Sequence, residues 1–446
     1  MTGSVMQART HGIVCSFSLQ WSTILTSFAF IISVSLFPAC SSDACKNDGE
    51  MEKVVWMIPM DLDRRHYERL LDRFHELHPE IRVAPRWVPA SQYQTKFKIL
   101  AAAGLEPDVF MAGDVWAAYL APFLLDLTPF VERDREALDL EDIPPRLLEA
   151  CQYEGSWWMM PRSFTVSLLY YNTDIFDAAN EPYPNSTWTW DEYFDAARRL
   201  TRETSDARAS VWGSTIVTGW WGEWLTLVRQ AGGRLFDEEI TRCLLDSPES
   251  LEAIRFYMSK IEGGIAPAPG RGPALGFEGG RYAMHWGGHT NEWASLFGKL
   301  ENLNWDVELL PSGPAGTRGA ELAIDAYGVA RTTDVAEASW QLVKFLASSE
   351  AAELNAQYGF LVARQSVLES VFADPENPNP PPRNWRCIYM AIETAESIPR
   401  SPNFIEIAID VIQPEFDRMT AGLLSPDEAC VRATAAANAY IRVLSR

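Results

Sequence analysis

Short apolar runs alternate with amphipathic stretches in the part of the chain that follows residue 52. Residues 54–58 form a continuous apolar run, typical of a buried strand, and apolar positions within 67–77 recur at helical spacing. The order then repeats: 81–88 alternates as a strand, 92–103 predicts a helix that ends at a glycine, and 107–111 predicts another strand. This succession of strands and helices predicts a doubly wound α/β sheet.

Polar loops follow the first and third of these predicted strands. They cover residues 59–64 and 112–117 and contain Asp61, Asp63 and Asp114. Ligands of open α/β sheets bind outside the carboxyl ends of the strands, so we expect both loops at a binding cleft. A second interpretation stays open for each aspartate, because an Asp before a helix also serves as its N-cap.

A central stretch has the most distinctive pattern of the chain. An apolar run at 157–160 is interrupted by Pro161, a second run covers 166–171, and a Thr-x-x-Glu capping box predicts a helix from Thr189. Proline fixes its own φ and biases the preceding residue toward an extended backbone. We therefore expect a stiff extended crossing with a hinge at 161–163.

Two later apolar runs predict further strands, and the end of the chain predicts a helix. Residues 306–311 and 322–330 are expected as strands that return to the first sheet. The last helix is expected to begin at 425, where Ser and Pro precede an acidic first turn.

The first 40 residues differ from the rest in composition. They contain one Arg and no acidic residue, and an apolar run covers 24–37 before Cys40. This layout is typical of a secretory signal, and the run is short for a membrane span. The polar residues 40–52 then predict a flexible tether.

The net charge restricts the possible partners. The chain of 446 residues has a formal charge of -22, whereas phosphate contacts need basic patches. We therefore expect no nucleic-acid binding. Seventeen tryptophans and fourteen tyrosines supply large apolar faces, and carboxylates accept hydroxyl hydrogen bonds. Aromatic faces combined with carboxylates suit a sugar ligand, although for any single Trp a place in the core is the favoured interpretation.

The cysteines are scattered and never occur in a C-x-x-C spacing. This excludes a zinc ribbon or a redox dithiol of the usual kind, whereas one or two disulfides and buried free thiols both stay open. The cysteines beyond the signal and residue 40 are Cys45, Cys151, Cys243, Cys387 and Cys430.

The central stretch resembles the bacterial extracellular solute-binding proteins, the family-1 receptors of ABC importers that include maltose-binding protein. The motifs that carry this resemblance are Met-Pro at 160–161, LYYNTDIF at 169–176 and TWDEY at 189–193. FEGGRYAM at 277–284, which leads into a glycine loop, is also similar to the family pattern. Cys40, directly after Ala39, resembles the lipidation site of bacterial lipoproteins.

The resemblance implies a two-lobed periplasmic-binding-protein fold of type II, in which hinge crossings join two doubly wound lobes with flanking helices. We expect residues 1–39 as a signal peptide and 40–52 as a lipidated tether. The N-terminal lobe would comprise 53–161 and 305–362, and the C-terminal lobe 163–304 and 363–446.

The family also implies the function and the partners of the chain. We expect an extracytoplasmic receptor, periplasmic or at the cell surface, that captures a sugar or oligosaccharide between its lobes and delivers it to ABC permease subunits. A monomer held at the membrane by lipid on Cys40 is expected, with no cofactor, no metal and no catalytic residue. Plain secretion or an uncleaved anchor is the alternative to lipidation.

The candidate ligand-binding residues lie in loops after strands, beside glycines, or where relatives contact their ligands. They are Asp61, Asp63, Asp114, Trp116, Thr165, Trp221, Trp224, Trp286, His289 and Phe404.

Two other functions stay open. A secreted carbohydrate-active hydrolase would use paired carboxylates such as Asp108 and Asp114, although no nucleophile elbow, phosphate loop or HExxH motif is present. A receptor for a non-sugar solute, such as a polyol phosphate or a peptide, is the other alternative. His75 and His78 form a single HxxH at a predicted helix end, for which we expect a solvated or capping role.

Overall fold

The structure is a computed structural model that describes residues 51–60, 64–113, 120–206, 209–289, 303–374, 376 and 382–444, without the side chains of residues 90, 91, 288 and 289. The predicted signal, Cys40 and most of the tether lie outside the described residues.

The predicted alternation of strands and helices is confirmed at the start of the described part. Its ten strands are β1 (Glu52–Pro59), β2 (Ile81–Val88), β3 (Val109–Gly113), β4 (Gln152–Tyr153), β5 (Ser156–Trp157), β6 (Met160–Asn172), β7 (Trp212–Ser214), β8 (Tyr282–His289), β9 (Trp305–Glu308) and β10 (Leu322–Val329).

The helices of the described part are α1 (Arg64–Leu77), α2 (Ala90–Ala102), α3 (Thr128–Arg133), α4 (Arg135–Leu138), α5 (Pro145–Ala150), α6 (Thr173–Ala179), α7 (Trp190–Leu200), α8 (Gly222–Gln230), α9 (Pro248–Glu262), α10 (Ala336–Leu346), α11 (Ser349–Ala356), α12 (Gln365–Ala373), α13 (Cys387–Thr394), α14 (Gln413–Thr420) and α15 (Pro426–Leu444). A π-helical segment, Glu406–Ile412, precedes α14. The predicted capping box is present at the start of α7, where Thr189 and Glu192 bond each other's backbone.

One strand, β6, belongs to two groups of strands. Its first part, 160–166, pairs with β10, which pairs in turn with β3, β1 and β2. Its second part pairs with β8 from Ser167 and with β9 from Leu169, and β7 pairs with β8. We call these sets the first and second strand groups. The exchange of partners occurs between Val166 and Ser167, later along the chain than the hinge predicted at 161–163.

Pro161 does not interrupt β6, contrary to the break expected from the sequence. The strand runs continuously from 160 to 172, and Pro161 lies opposite Ala326 of β10. The register shifts between Asp325 and Ala326, because Ser163 pairs with Asp325 and Arg162 has no partner across the ladder. A bulge is where a strand interior accommodates proline.

The first returning strand lies in a different place from the one expected. β9 pairs with the second part of β6, so that residues 305–308 join the second strand group rather than the first. β10 returns to the first group as predicted. Residues 361–363 then lie beside the first part of β6, where the backbone N–H of Phe164 donates to Leu361 and that of Ala363 donates to Arg162.

The segment that follows residues 361–363 stays close to the first strand group. The guanidinium of Arg364 donates to the carbonyls of Ala347, Leu138 and Asp139, and Ser366 bonds Asp142 at the start of α12. The lobe boundaries themselves remain a prediction, in which these contacts favour placing α12 with the first lobe.

Aromatic and aliphatic side chains fill the interior of the described part. Trp56, Trp224, Trp286 and Trp340 are among its largest fully buried side chains. Cys243, Cys387 and Cys430 are buried free thiols, and Cys151 is buried as well. No helix within the described ranges is both long enough and apolar enough to cross a membrane.

Candidate functional site

The carboxyl ends of β1 and β3 lie at one edge of the first strand group, and parts of β10 and β6 lie at the same edge. β1 is parallel to β3, and Gly113 at the end of β3 lies opposite Asp325 of β10. Asp325 in turn lies opposite Ser163 of β6. This edge, which we call the hinge edge, is where ligands of open α/β sheets bind, and β6 leaves from it toward the second group.

Arg162, Ser163 and Asp325 form a polar cluster at the hinge edge. Asp325 Oδ2 accepts hydrogen bonds from Ser163 Oγ at 3.1 Å and from Arg162 Nη2 at 3.4 Å. The Arg162 side chain is 3% exposed, whereas that of Asp325 is 32% exposed. The pair therefore presents its carboxylate, and not its guanidinium, to solvent.

The Arg162 guanidinium is enclosed by aromatic side chains. It lies 4.3 Å from the ring centre of Phe360, and Nη1 donates to the hydroxyls of Tyr67 and Tyr327 at 3.4 Å each. Burial lowers the pKa of Arg162, but Tyr327, Tyr67 and Asp325 raise it, and the net pKa lies above the ordinary value. Arg162 is thus a permanent buried cation beside Asp325.

Asp325 was not among the residues expected from the sequence, whereas Thr165 was. Thr165 lies two residues after Ser163 in β6, on the same face of the strand, and is 8% exposed. The only signal for Asp325 in the sequence is an acidic residue inside the apolar run 322–330.

Trp221 and Phe404 are brought together in the structure. Their ring centres lie 5.1 Å apart in an edge-to-face arrangement, and Trp221 is 7% exposed. The Trp221 indole N–H donates to Glu321 Oε2 at 3.1 Å, and the Glu321 carbonyl accepts from the backbone of Ser167. The indole is thereby connected to the point at which β6 exchanges its partners.

Trp224 and Trp286 lie in the interior and have no exposed surface. The Trp224 indole donates to Gln413 at 3.1 Å and contacts Phe416 edge-on. Trp286 packs edge-on against Tyr193 at 4.8 Å. In this conformation both side chains are part of the packing of the second strand group.

The remaining candidates lie wholly or partly outside the described residues. Asp61, Asp63, Asp114 and Trp116 are not described, and the backbone of His289 ends β8 while its side chain is not described. Their roles as ligand-binding residues stay predictions.

A cavity of about 630 Å³ lies beside the second strand group. Thr215 Oγ1 and His285 Nδ1 are hydrogen-bonded at 2.8 Å in its wall, where Tyr282 and Phe277 also lie. A Pro- and Gly-rich loop, 267–276, forms another wall. The cavity combines apolar rings with hydroxyl and imidazole groups, as expected for a small-molecule site.

Asp108 and His75 both accept hydrogen bonds from neighbouring parts of the chain. Asp108 accepts hydrogen bonds from the backbone of Val55 and from Thr333, each at 2.7 Å. His75 accepts from the backbone of Val83 at 3.0 Å. Among the described residues, no group of three or more His, Cys, Asp or Glu side chains is placed to hold a metal ion.

The comparison with protein families decides which class of protein has this arrangement. Residues 65–353 match the sequence model of the bacterial extracellular solute-binding proteins. The chain belongs to this family. The resemblance noted in the sequence motifs is confirmed, and the family is one of extracytoplasmic binding proteins rather than of enzymes.

Curated relatives of this solute-binding protein include sugar receptors. It is 24% identical over 365 residues to a maltotriose-binding protein of Pyrococcus abyssi, and the alignment covers 79% of this chain and 74% of the relative. It is also 28% identical over 108 residues to an arabinooligosaccharide-binding protein of Halalkalibacterium halodurans, covering 24% of this chain and 23% of that one.

Solved structures of similar proteins confirm the two-lobed fold. An ABC substrate-binding protein from Listeria monocytogenes in complex with cycloalternan matches with a TM-score of 0.75 at 22% identity, over 88% of this chain and 100% of that one. The sugar-binding protein MalE of Xanthomonas citri matches with a TM-score of 0.73 at 19% identity, over 88% and 98%. The predicted α/β architecture, with two lobes joined by crossings, is therefore correct.

Proposed function

We propose that this solute-binding protein is the receptor of an ABC importer for a neutral sugar or oligosaccharide, held between its two lobes. The observation that carries the proposal is the single strand β6, which links the hinge edge of one strand group to the other group. Ligand at that edge can shift an equilibrium between open and closed forms. The closed form would then deliver the sugar to permease subunits.

The hinge edge and the cavity are two separate candidate places. Ser163 at the hinge edge and Tyr170, which pairs with His285 of the cavity wall, are seven residues apart in β6. At about 3.3 Å per residue this is about 23 Å along the strand, and an odd separation puts the two side chains on opposite faces of it. One ligand is therefore not expected to contact both places.

Attachment to the membrane is part of the proposal. Cys40 directly follows the predicted signal, and a diacylated Cys40 with the tether 40–52 would hold the receptor near its permease. Replacement of Cys40 by Ser is expected to release the chain from the membrane fraction into the soluble fraction. Retention of the variant in the membrane would support an uncleaved anchor instead, and release of the wild type would support plain secretion.

A thermal-shift screen tests the ligand class. The full chain, purified in detergent, is heated with maltose, maltotriose, arabino-oligosaccharides, tagatose, glycerol 3-phosphate and a mixed peptide pool. A ligand that binds only the folded state raises Tm. We expect a rise with one or more neutral saccharides and none with the phosphate or the peptides.

The same incubations distinguish a receptor from a hydrolase. Chromatography of the saccharides after incubation is expected to show them unchanged. Release of shorter sugars would establish the hydrolase instead, and a screen with no neutral saccharide raising Tm would contradict the proposed ligand class.

A further inference from the structure

We infer that Asp325 is a ligand-binding residue, whose carboxylate accepts a hydroxyl of an uncharged saccharide at the hinge edge and excludes anionic ligands there. The inference rests on the proposed function and deepens it. It assigns the recognition of the sugar in the first strand group to a residue that the sequence motifs did not indicate.

The bulge in β6 builds this site. Successive side chains of a regular strand point to opposite faces, so adjacent residues do not meet the same group. Here Arg162 and Ser163 both donate to Oδ2 of Asp325. The register shift that leaves Arg162 without a partner in the ladder makes this possible, and bulges commonly re-aim a side chain beside a functional site.

The two oxygens of the carboxylate have different environments. Oδ2 is held by Arg162 and Ser163, whereas Oδ1 accepts no hydrogen bond within the part of the chain that the structure describes. The side chain is 32% exposed although its cationic partner is 3% exposed. An oriented carboxylate with one open oxygen is suited to accept a hydroxyl hydrogen bond.

The site is attached to β6, the strand that crosses between the strand groups, and to the segment that precedes α12. The Arg162 carbonyl accepts the backbone N–H of Ala363 at 2.9 Å, and Ser163 is bridged to Val362. Ser163 itself lies in β6, three residues before Val166, after which the strand exchanges its partners. A sugar bonded to Asp325 therefore lies beside the strand about which the two groups would move.

The charge of the site selects among ligand classes. An exposed carboxylate repels a phosphate or a carboxylate brought beside it, and the buried Arg162 is already occupied by Asp325, Tyr67 and Tyr327. A neutral polyhydroxyl ligand meets no such penalty. The chemistry of the hinge edge thus favours an uncharged saccharide over a polyol phosphate.

The test compares Asp325→Asn with wild type by titration calorimetry. Maltotriose is the first probe, followed by whichever saccharide raises Tm most in the screen. Loss of a charge-assisted hydrogen bond is expected to raise Kd about tenfold or more, the factor that corresponds to about 1.4 kcal/mol. Asp427→Asn is the matched control, because Asp427 pairs with Arg255 at 2.6 Å in the second half of the chain; its Kd is expected to equal that of wild type.

Deoxy analogues separate contact from structural support. If Asp325 accepts one hydroxyl, a monodeoxy maltotriose that lacks this hydroxyl loses affinity for wild type but binds Asp325→Asn and wild type nearly equally. A purely structural Asp325 would lower the Tm of the apo-protein and weaken every analogue by the same factor, and this result would overturn the inference.

The outcomes also separate this inference from the proposed function. If wild type and Asp325→Asn bind a saccharide with the same Kd, only the role of Asp325 is contradicted. If wild type binds no saccharide, the role of Asp325 and the proposed function are both contradicted. If Asp325→Asn folds poorly, Ser163→Ala is the second variant, because it leaves the Arg162–Asp325 ion pair intact and removes one hydrogen bond from Oδ2. One deoxy analogue is still expected to lose affinity selectively.

Discussion

Asp134 is a partly buried charge that several donors hold at once. Asp134 accepts hydrogen bonds from Arg133 at 2.9 Å, from the Trp340 indole at 2.7 Å and from Lys344 at 3.1 Å. The bond from Arg133, followed by those from Trp340 and Lys344, holds the pKa of Asp134 well below its usual range despite partial burial. Asp134 thereby joins α3 and α4 to α10.

Replacement of Asp134 by Asn is expected to reduce the free energy of unfolding by roughly 1–3 kcal/mol at neutral pH. The folded pKa is depressed, so the stabilisation is complete above the unfolded pKa, about 3.9, and is lost as pH falls through the folded pKa. The difference between wild type and variant in urea unfolding should therefore shrink below about pH 4.

Asp195→Asn is the control for this prediction. Asp195 lies 3.5 Å from Arg198 with both side chains largely exposed, so we expect almost no change in unfolding at any pH. A difference between Asp134→Asn and wild type that stays constant down to strongly acidic pH would contradict the assigned role of Asp134.

A second prediction at the residue scale concerns the reactivity of the buried cysteines. Burial raises the pKa of Cys243 to about 11 and that of Cys430 to about 12. Since the thiolate is the reactive form, Cys151, Cys243, Cys387 and Cys430 should resist maleimide at about pH 8 in the folded protein and react in urea. Peptide mass mapping of the labelled chain checks this, and rapid native labelling of any of the four would contradict it.

At the scale of elements, one buried ion pair organises the loop before α8. Lys260 of α9 bonds Glu223 of α8, and neither side chain is exposed. The other oxygen of Glu223 accepts the backbone N–H of Val217 at 2.6 Å. Val217 lines the cavity, and the loop that begins there leads to Trp221 at the start of α8. The ion pair therefore holds in place the loop that contains Val217 and Trp221.

Removal of one partner of this pair should be more damaging than removal of both charges. Lys260→Met leaves Glu223 as an unpaired buried charge and is expected to cost about 3–5 kcal/mol of unfolding free energy. Adding Glu223→Gln removes that charge while its carbonyl still accepts from Val217, so the double variant should recover part of the loss. Urea denaturation measures all three proteins; additive losses would show that the pair is not coupled.

At the scale of the whole chain, polar contacts join the segment 400–406 to parts of the chain that precede β6. Lys98 of α2 lies 3.4 Å from Glu406 of the π-helical segment. Arg400 also donates to the carbonyls of Gln152 at 3.0 Å and Glu149 at 3.3 Å. Exposed ion pairs contribute little to stability. If the proposed open and closed forms exist, we expect these contacts to act on their relative populations.

Charge reversal at Glu406 tests this interpretation. Glu406→Lys places two cations together and should favour the open form, with a larger radius of gyration in X-ray scattering and a saccharide Kd raised a few-fold. About 1 M salt should cancel the effect, because the Debye length falls to about 3 Å. Asp427→Lys, which disrupts the Arg255 pair, should change neither quantity. An effect of Glu406→Lys that is independent of salt would contradict the electrostatic cause.

Much of the fold could be predicted from local patterns. Apolar periodicity predicted β1, α1, β2 and β3, and the capping box predicted α7, because these signals depend on residues a few positions apart. The family motifs predicted the crossing strand. They also led to Thr165, which the structure places on the same strand face as Ser163, next to the hinge edge.

The tertiary structure alone decided how the strands pair. Pro161 lies within a continuous strand because a bulge absorbs it, and β9 pairs with the second part of β6 rather than returning to the first sheet. Both outcomes depend on hydrogen-bond register between segments more than 100 residues apart. Local periodicity indicates which face of a strand is buried, but it does not identify the distant strand with which it pairs.

The amino-acid sequence by itself determined the types of the elements, the acidic and aromatic character of the chain and the family motifs. The tertiary structure decided that Asp325 meets Arg162 and Ser163 at the hinge edge, and that Trp224 and Trp286 pack in the interior. The physical reason is that an element's type follows from contacts along the chain, whereas a binding group is assembled from side chains that only long-range pairing brings together.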